Sequence, residues 1–201
     1  MKILASLTLL LTIGIVTAVA QDDGATVLTG TDKPEFQQSS EKGQCVVYRD
    51  YVVRTTQSED GGENVSVYRR SAAAAKQNCQ SGGKALITVA DADNNSFFGI
   101  AGSYLFVDSG TSAESRVVET FNLTTGKSLV KTSYSDDPKL VSGRFLMFDS
   151  PSDKKGVLST CKDAAKWKRE GGGVRWVQGM KLDLETLQTI KVGTLRCAYM
   201  E

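Results

Sequence analysis

The chain has 201 residues, with 24 Lys and Arg against 23 Asp and Glu, four Cys and no His. With 40% apolar residues, that balance belongs to a globular chain and excludes a disordered, collagen-like or multi-span membrane protein. Without His there is no Ser-His or Cys-His nucleophile pair, no His-ligated zinc and no imidazole proton shuttle.

Met1-Lys2 is followed by an apolar stretch from Ile3 to Val16 and by Ala18-Val19-Ala20. This order predicts a secretory signal over residues 1–20, cleaved after Ala20. The apolar stretch is too short to cross a bilayer, which needs about 20 residues. No second long apolar run follows, so no transmembrane segment is expected after cleavage, and the expected location is periplasmic or secreted. Cleavage leaves 181 residues with 23 basic and 23 acidic side chains. Nucleic-acid and polybasic membrane-surface proteins carry a basic excess, so neither partner is expected.

Residues 21–44 are polar and aperiodic and read as a flexible N-terminal arm. Residues 45–201 read as a single β domain. Short runs rich in Val, Tyr, Phe and Leu recur between turn residues: Cys45–Tyr48, Tyr51–Val53, Lys84–Val89, Tyr104–Val107 and Phe145–Phe148. Two short helices are predicted. One is Ala72–Asn78, capped by Ser71; the other is Lys162–Arg169, opened by Thr160 with Asp163 and stopped by Gly171.

Cys45, Cys79, Cys161 and Cys197 lack metal-ligand spacing, and an even number in an exported chain reads as two disulfides. Three connectivities are open. Cys45–Cys79 with Cys161–Cys197 is favoured because each pair closes a short loop; Cys45–Cys197 is an alternative tying the ends together.

Three segments overlay. Tyr51-Val-Val-Arg-Thr-Thr, Tyr104-Leu-Phe-Val-Asp-Ser and Phe145-Leu-Met-Phe-Asp-Ser share an aromatic, apolar residues and a polar end. Tyr51 and Tyr104 are 53 apart, as are Tyr68 and Phe121 in the elements that follow. Asn122-Leu-Thr-Thr-Gly-Lys and Leu182-Asp-Leu-Glu-Thr resemble the turns of quinoprotein-like propeller blades. The chain also resembles exported bacterial proteins of unknown function through Cys45-Val-Val-Tyr-Arg-Asp, Phe97-Phe98-Gly99 and Ala164-Ala165-Lys166-Trp167-Lys168. The resemblance implies an all-β, antiparallel fold of about three blade-like repeats, a partial propeller-like assembly. Three blades are fewer than an ordinary closed propeller has, and Leu187 stands where the second unit has Gly126. A two-sheet sandwich is the alternative.

Candidate binding residues are few. Asp108 and Asp149 recur at matching places in two units and read as rim carboxylates or, in the simpler view, as Asx turns closing strands. Arg54, Arg69 and Tyr51 belong to an Arg-Tyr cluster of the kind enriched at binding hot spots, and equally to the polar face of an ordinary sheet. Trp176 and Trp167 flank Gly171–Gly173 and suggest an aromatic pair for a sugar or peptide, or anchors for the short helix. Asp91-Ala-Asp93-Asn94-Asn95 opens like a calcium loop but has Ser96 and Gly102 at the required Gly and Glu positions. No metal, cofactor or catalytic set is expected. The leading reading is a non-catalytic binding or protein-interaction module of the cell envelope, with another envelope protein or a small ligand as partner. The alternatives are a His-free carboxylate enzyme acting on glycans and a purely structural envelope protein.

Overall fold

The apolar runs form strands, and each run packs by the alternation of its side chains. The computed structural model describes residues 27–59, 61–71, 79, 83–110, 116–136, 138–153 and 161–200. The expected signal over 1–20, residues 21–26 of the expected arm, the helix expected at Ala72–Asn78 and the capping residue Thr160 lie outside the described residues.

Three antiparallel sheets follow one another along the chain, which sets aside the two-sheet alternative. The first holds β1 (Phe36–Ser40), β2 (Gly43–Val47), β3 (Tyr51–Gln57), β4 (Glu63–Arg69) and β5 (Ile87–Val89), in that order. The second holds β6 (Ser96–Ala101), β7 (Tyr104–Ser109), β8 (Arg116–Asn122) and β9 (Lys127–Tyr134). The third holds β10 (Lys139–Val141), β11 (Phe145–Pro151), β12 (Gly173–Asp183) and β13 (Thr189–Lys191), with β14 (Arg196–Met200) also paired to β12. A short helix, α1 (Ala164–Arg169), lies between β11 and β12.

The second sheet is the middle layer, because it feeds two cores. Phe97, Ile100, Leu105, Val107 and Phe121 pack with Val46, Val53, Val65 and Val67 of the first sheet. Phe98, Ala101, Phe106 and Val118 pack with Leu140, Leu146, Phe148 and Leu182 of the third. Burial on both faces explains why β6 and β7 read as continuous apolar runs. Alternation puts Phe97 and Phe98 in opposite layers, and the register shift between Phe97 and Gly99 returns Ile100 to the side of Phe97.

The arm expected over 21–44 is corrected across residues 27–44. Leu28 is 1% exposed and belongs to the second core. Its N–H donates to the Phe98 carbonyl at 2.8 Å, the Asp32 N–H to the Ile100 carbonyl at 2.7 Å, and the Leu140 N–H to the Thr29 carbonyl at 2.7 Å. Residues 28–32 therefore lie between β6 and β10 and satisfy backbone groups at both, while Phe36–Ser40 and Gly43–Val47 form a hairpin. Backbone pairing of this kind leaves no trace in composition, and one buried leucine is its only apolar mark.

Both disulfides follow the favoured pairing. Cys45–Cys79 spans a Cα separation of 6.1 Å and Cys161–Cys197 one of 5.9 Å. Restricting the unfolded chain in this way contributes about 3–4 kcal/mol per crosslink in the entropic account. The expected start of the second helix is corrected. α1 begins at Ala164, and Asp163 precedes it without a side-chain capping bond, since its φ of −101° and ψ of 3° are not the extended geometry an N-cap uses.

The two quoted turns share one geometry. The Gly126 N–H donates to the Asn122 carbonyl at 2.8 Å, and the Leu187 N–H to the Asp183 carbonyl at 2.7 Å. Asn122 Oδ1 accepts from the Thr124 and Thr125 N–H groups, and Asp183 Oδ1 from that of Glu185. Gly126 has φ +71° and Leu187 φ +57°. A side chain in this left-handed conformation costs about 1–2 kcal/mol, which glycine avoids while adding freedom to the unfolded chain. Leu187 is 42% exposed, so Leu187→Gly is expected to stabilise the protein by about 0.5–1 kcal/mol in urea unfolding. A loss of stability would show that the leucine packs usefully. The Asp183 carboxylate takes two bonds from Arg144, at 3.0 and 2.5 Å, and these hold its pKa down at about 2.

Tyr48 sits in the first core, edge-on to Phe97. Burial, reinforced by the Asp32 carboxylate, pushes its phenol above the ordinary range. A raised folded pKa contributes stability that is present below the unfolded value, about 10, and is lost as pH rises past it. Stability is therefore expected to fall above pH ~10, by at most ~1.4 kcal/mol per pH unit from this group. Tyr48→Phe should remove that slope from the urea midpoint measured against pH. An unchanged slope would assign the alkaline loss to other groups.

Candidate functional site

The two aspartates sit inside strands, β7 and β11, and neither closes a turn. Asp108 is fully buried. Tyr134 Oη donates to its Oδ1 at 2.6 Å, and Arg116 Nη2 donates to its Oδ2. Arg116 and Tyr134 face each other across β8 and β9. Asp149 receives Arg196 Nη2 on its Oδ2, and Arg196 also reaches Asp136 at 3.2 Å. The Ser135 N–H donates to the Asp149 carbonyl at 2.9 Å. The Asx-turn reading is thus corrected: each carboxylate bonds a distant arginine instead of its own backbone. Three consecutive residues, Tyr134, Ser135 and Asp136, link the two aspartates at the end of β9.

The Arg-Tyr cluster serves the first sheet. The Arg54 guanidinium lies 5.4 Å from the centre of the Tyr68 ring and donates to the Cys79 carbonyl. Arg69 lies 5.9 Å from the ring centre of Tyr51, its partner across β3 and β4. Tyr51 is buried in the first core. Arg70 donates to Glu35 at 2.6 Å and to the Tyr48 carbonyl at 3.0 Å. The loop at Asp91 is also held from within. Asp91 Oδ1 accepts the Asn95 N–H at 2.7 Å, and Asn64 Oδ1 accepts the Asp91 N–H at 3.0 Å. Among the described residues no three carboxylates or cysteines gather as a metal site would require.

A concave feature lies elsewhere. A cleft of about 350 Å³ is lined by Ser135, Asp136, Trp167, Arg196 and Tyr199. Trp167 comes from α1 and meets Tyr199 of β14 edge to face, with ring centres 6.1 Å apart and planes at 63°. The Cys161–Cys197 bond ties the lead-in to α1 onto β14, so the crosslink fixes one aromatic relative to the other. Gly172 lies against the Tyr199 ring. A Cβ there would lie 2.0 Å from Tyr199 Cε2, so the tyrosine ring rests on bare backbone. That contact, with the left-handed Gly171 (φ +84°) ending α1, gives the Gly171–Gly173 run a physical role.

Trp176 lies opposite Cys197 in the β12–β14 register, half-buried, and its indole N–H has no hydrogen-bond partner among the described residues. Tyr199 is thus the aromatic partner of Trp167. The residue was missed because a tyrosine near a chain end has no local signature. The run of glycines between Trp167 and Trp176 was the available signal, since a bare backbone is where a ring can lie flat.

No protein-family model, curated protein or solved structure matches the chain. Fold and site together define a disulfide-tied antiparallel β protein of three successive sheets, with an aromatic and ionic cleft beside its second disulfide.

Proposed function

We propose that the protein is an exported, non-catalytic binding module of the cell envelope that receives its ligand in the cleft of Trp167, Tyr199, Asp136 and Arg196. The observation that carries this reading is the cleft itself. It has an apolar wall of two rings, a polar wall of ionic groups, and a covalent bond holding one wall in place. Binding sites are typically concave, mostly apolar and equipped with a few placed polar groups. The two disulfides fit an oxidising compartment, and among the described residues no helix is long and apolar enough to cross a membrane. Cleavage after Ala20 belongs to the same reading. The carboxylate-enzyme alternative is disfavoured because Asp108 and Asp149, its expected pair, are each committed to an arginine. We also read the three sheets as degenerate propeller-like repeats. The support is a common hairpin register, with Val52 opposite Tyr68, Leu105 opposite Phe121 and Leu146 opposite Leu182.

Mass spectrometry on protein from its own exported fraction tests the reading. The denatured mass should lack residues 1–20 and the four hydrogens removed by two disulfides. The native mass should carry a stoichiometric addition that Trp167→Ala loses. A native mass unchanged by Trp167→Ala, with a partner or ligand crosslinking only outside the cleft, would overturn it.

A further inference from the structure

We infer that β13 is a docking edge for a second copy of this chain, the two copies pairing β13 against β13, antiparallel, about a twofold axis through Ile190. The inference is independent of the cleft and rests on the backbone phase of one edge strand. β13 pairs with β12 on one side, and among the described residues no strand pairs with its other side. The Asp183 N–H donates to the Gln188 carbonyl at 2.9 Å, and the Val192 N–H to the Gly179 carbonyl at 2.8 Å. Gln188 and Val192 therefore bond inward, and so does Ile190, midway between them and opposite Lys181. Thr189 and Lys191 are out of phase with these three, so their N–H and C=O groups point out of the sheet edge. All of β13 is exposed.

Other edges are covered or guarded. Residues 28–32 bond the backbone at β6 and β10. β9 carries Lys127 and Lys131, and β1 is Gln-Gln-Ser-Ser after Phe36; charged and polar side chains of this kind discourage edge pairing. Tyr199, the exposed ring of β14, already lies against Trp167 and Gly172. Ile190 is 55% exposed, more than any other large apolar side chain in a described strand.

Side chains select the partner and the register. Hydrogen bonds form only where outward groups meet outward groups, which leaves three symmetric registers, centred on Thr189, Ile190 or Lys191. Centring on Lys191 sets it opposite Lys191 of the second copy, and like charges directly opposite are destabilising. Centring on Thr189 sets Lys191 opposite Leu187, whose φ of +57° is not that of a strand. Centring on Ile190 avoids both faults. Thr189 then faces Lys191 on each side of the axis, which makes four backbone hydrogen bonds, and Gln188 faces Val192. Ile190 faces Ile190 of the second copy as a non-hydrogen-bonded pair, with Cα atoms about 4.5 Å apart, where side chains meet most closely. An edge this short buries less than the ~1,200 Å² of a stable interface, so the dimer is expected to be weak and dependent on concentration.

Sedimentation velocity of the intact, oxidised protein from about 1 μM to about 1 mM tests the association. The mean mass is expected to rise from monomer toward dimer. It should stay at monomer for Ile190→Lys, which sets two cations at the axis, and for Lys191→Pro, which deletes an outward N–H that no internal bond uses. Urea midpoints check that both variants are folded. Crosslinking reads the register without either variant. On mild oxidation, Ile190→Cys is expected to form an interchain disulfide at least about tenfold faster than Lys191→Cys, because only residue 190 meets its own copy at disulfide distance. Absence of association at about 1 mM would overturn the inference. Association that both folded variants keep would do the same, as would crosslinking of Lys191→Cys as fast as that of Ile190→Cys.

Discussion

Phe98→Ala is expected to cost about 3–5 kcal/mol of stability, the largest loss from any single core change proposed for this protein. Phe98 is 1% exposed and stacks on Tyr134 with ring centres 6.4 Å apart and planes at 11°. It stands where three parts of the chain meet: the middle sheet, the third sheet, and the Leu28 segment whose N–H bonds the Phe98 carbonyl. Truncation removes the transfer energy of the ring and leaves a cavity that β6 and β11 cannot collapse to fill, because Leu146 and Leu182 are fixed by their own sheet. The loss should appear as a lower urea midpoint with an unchanged slope, since the surface exposed on unfolding is nearly the same. Tyr134 also bonds Asp108, so its proton-exchange rate should rise with the mutation. A cost below about 1 kcal/mol would show that the second and third sheets are not packed as one core.

What was legible in the sequence was local. Tyr51, Tyr104 and Phe145 each begin a strand because aromatic and β-branched runs fit a pleated, half-buried surface. Asn122 and Gly126 predicted a turn because a short amide bonds the backbone and glycine takes positive φ. The disulfides followed from loop length. What was missed depends on groups far apart in sequence. Residues 28–32 are polar enough to read as an arm, yet their backbone pairs with β6 and β10. Asp108 and Asp149 looked like turn residues because Asp at a strand end commonly is one. Their partners, Arg116 and Arg196, are 8 and 47 residues away, and only the hairpin and the third sheet bring them near. The cleft needed four long-range events: the end of β9, the placement of α1, the β12–β14 pairing and the second disulfide. No spacing rule in the sequence encodes their meeting. Trp176 reads as the partner of Trp167 because the two flank Gly171–Gly173, and adjacency along the chain carries no information about which ring β14 brings alongside.

The second large effect is an asymmetry around Asp108. Arg116→Met is expected to cost about 3–5 kcal/mol, whereas Asp108→Asn should cost about 1–3 kcal/mol. The Asp108 side chain is 1% exposed and that of Arg116 is 36% exposed. Removing the arginine strands a carboxylate in the interior with, among the described residues, only the Tyr134 hydroxyl to bond it. Removing the carboxylate charge leaves a guanidinium that can turn toward water, and an asparagine oxygen still accepts from Tyr134. The partly exposed cation also lowers the net worth of the pair, because water screens it. Combining Arg116→Met with Asp108→Leu should recover most of what Arg116→Met loses, since two apolar side chains leave no unpaired charge. Adding Tyr134→Phe to that pair then reads what the hydroxyl contributes once its Asp108 partner is gone. Urea unfolding of the two single variants, the double and the triple separates these terms as a thermodynamic cycle. Equal costs for Arg116→Met and Asp108→Asn would mean that the pair is solvated as a unit, and the carboxylate would again be a candidate for contact with a ligand. The expected inequality makes Asp108 a structural anchor of the end of β9, the same segment that delivers Ser135 and Asp136 to the cleft.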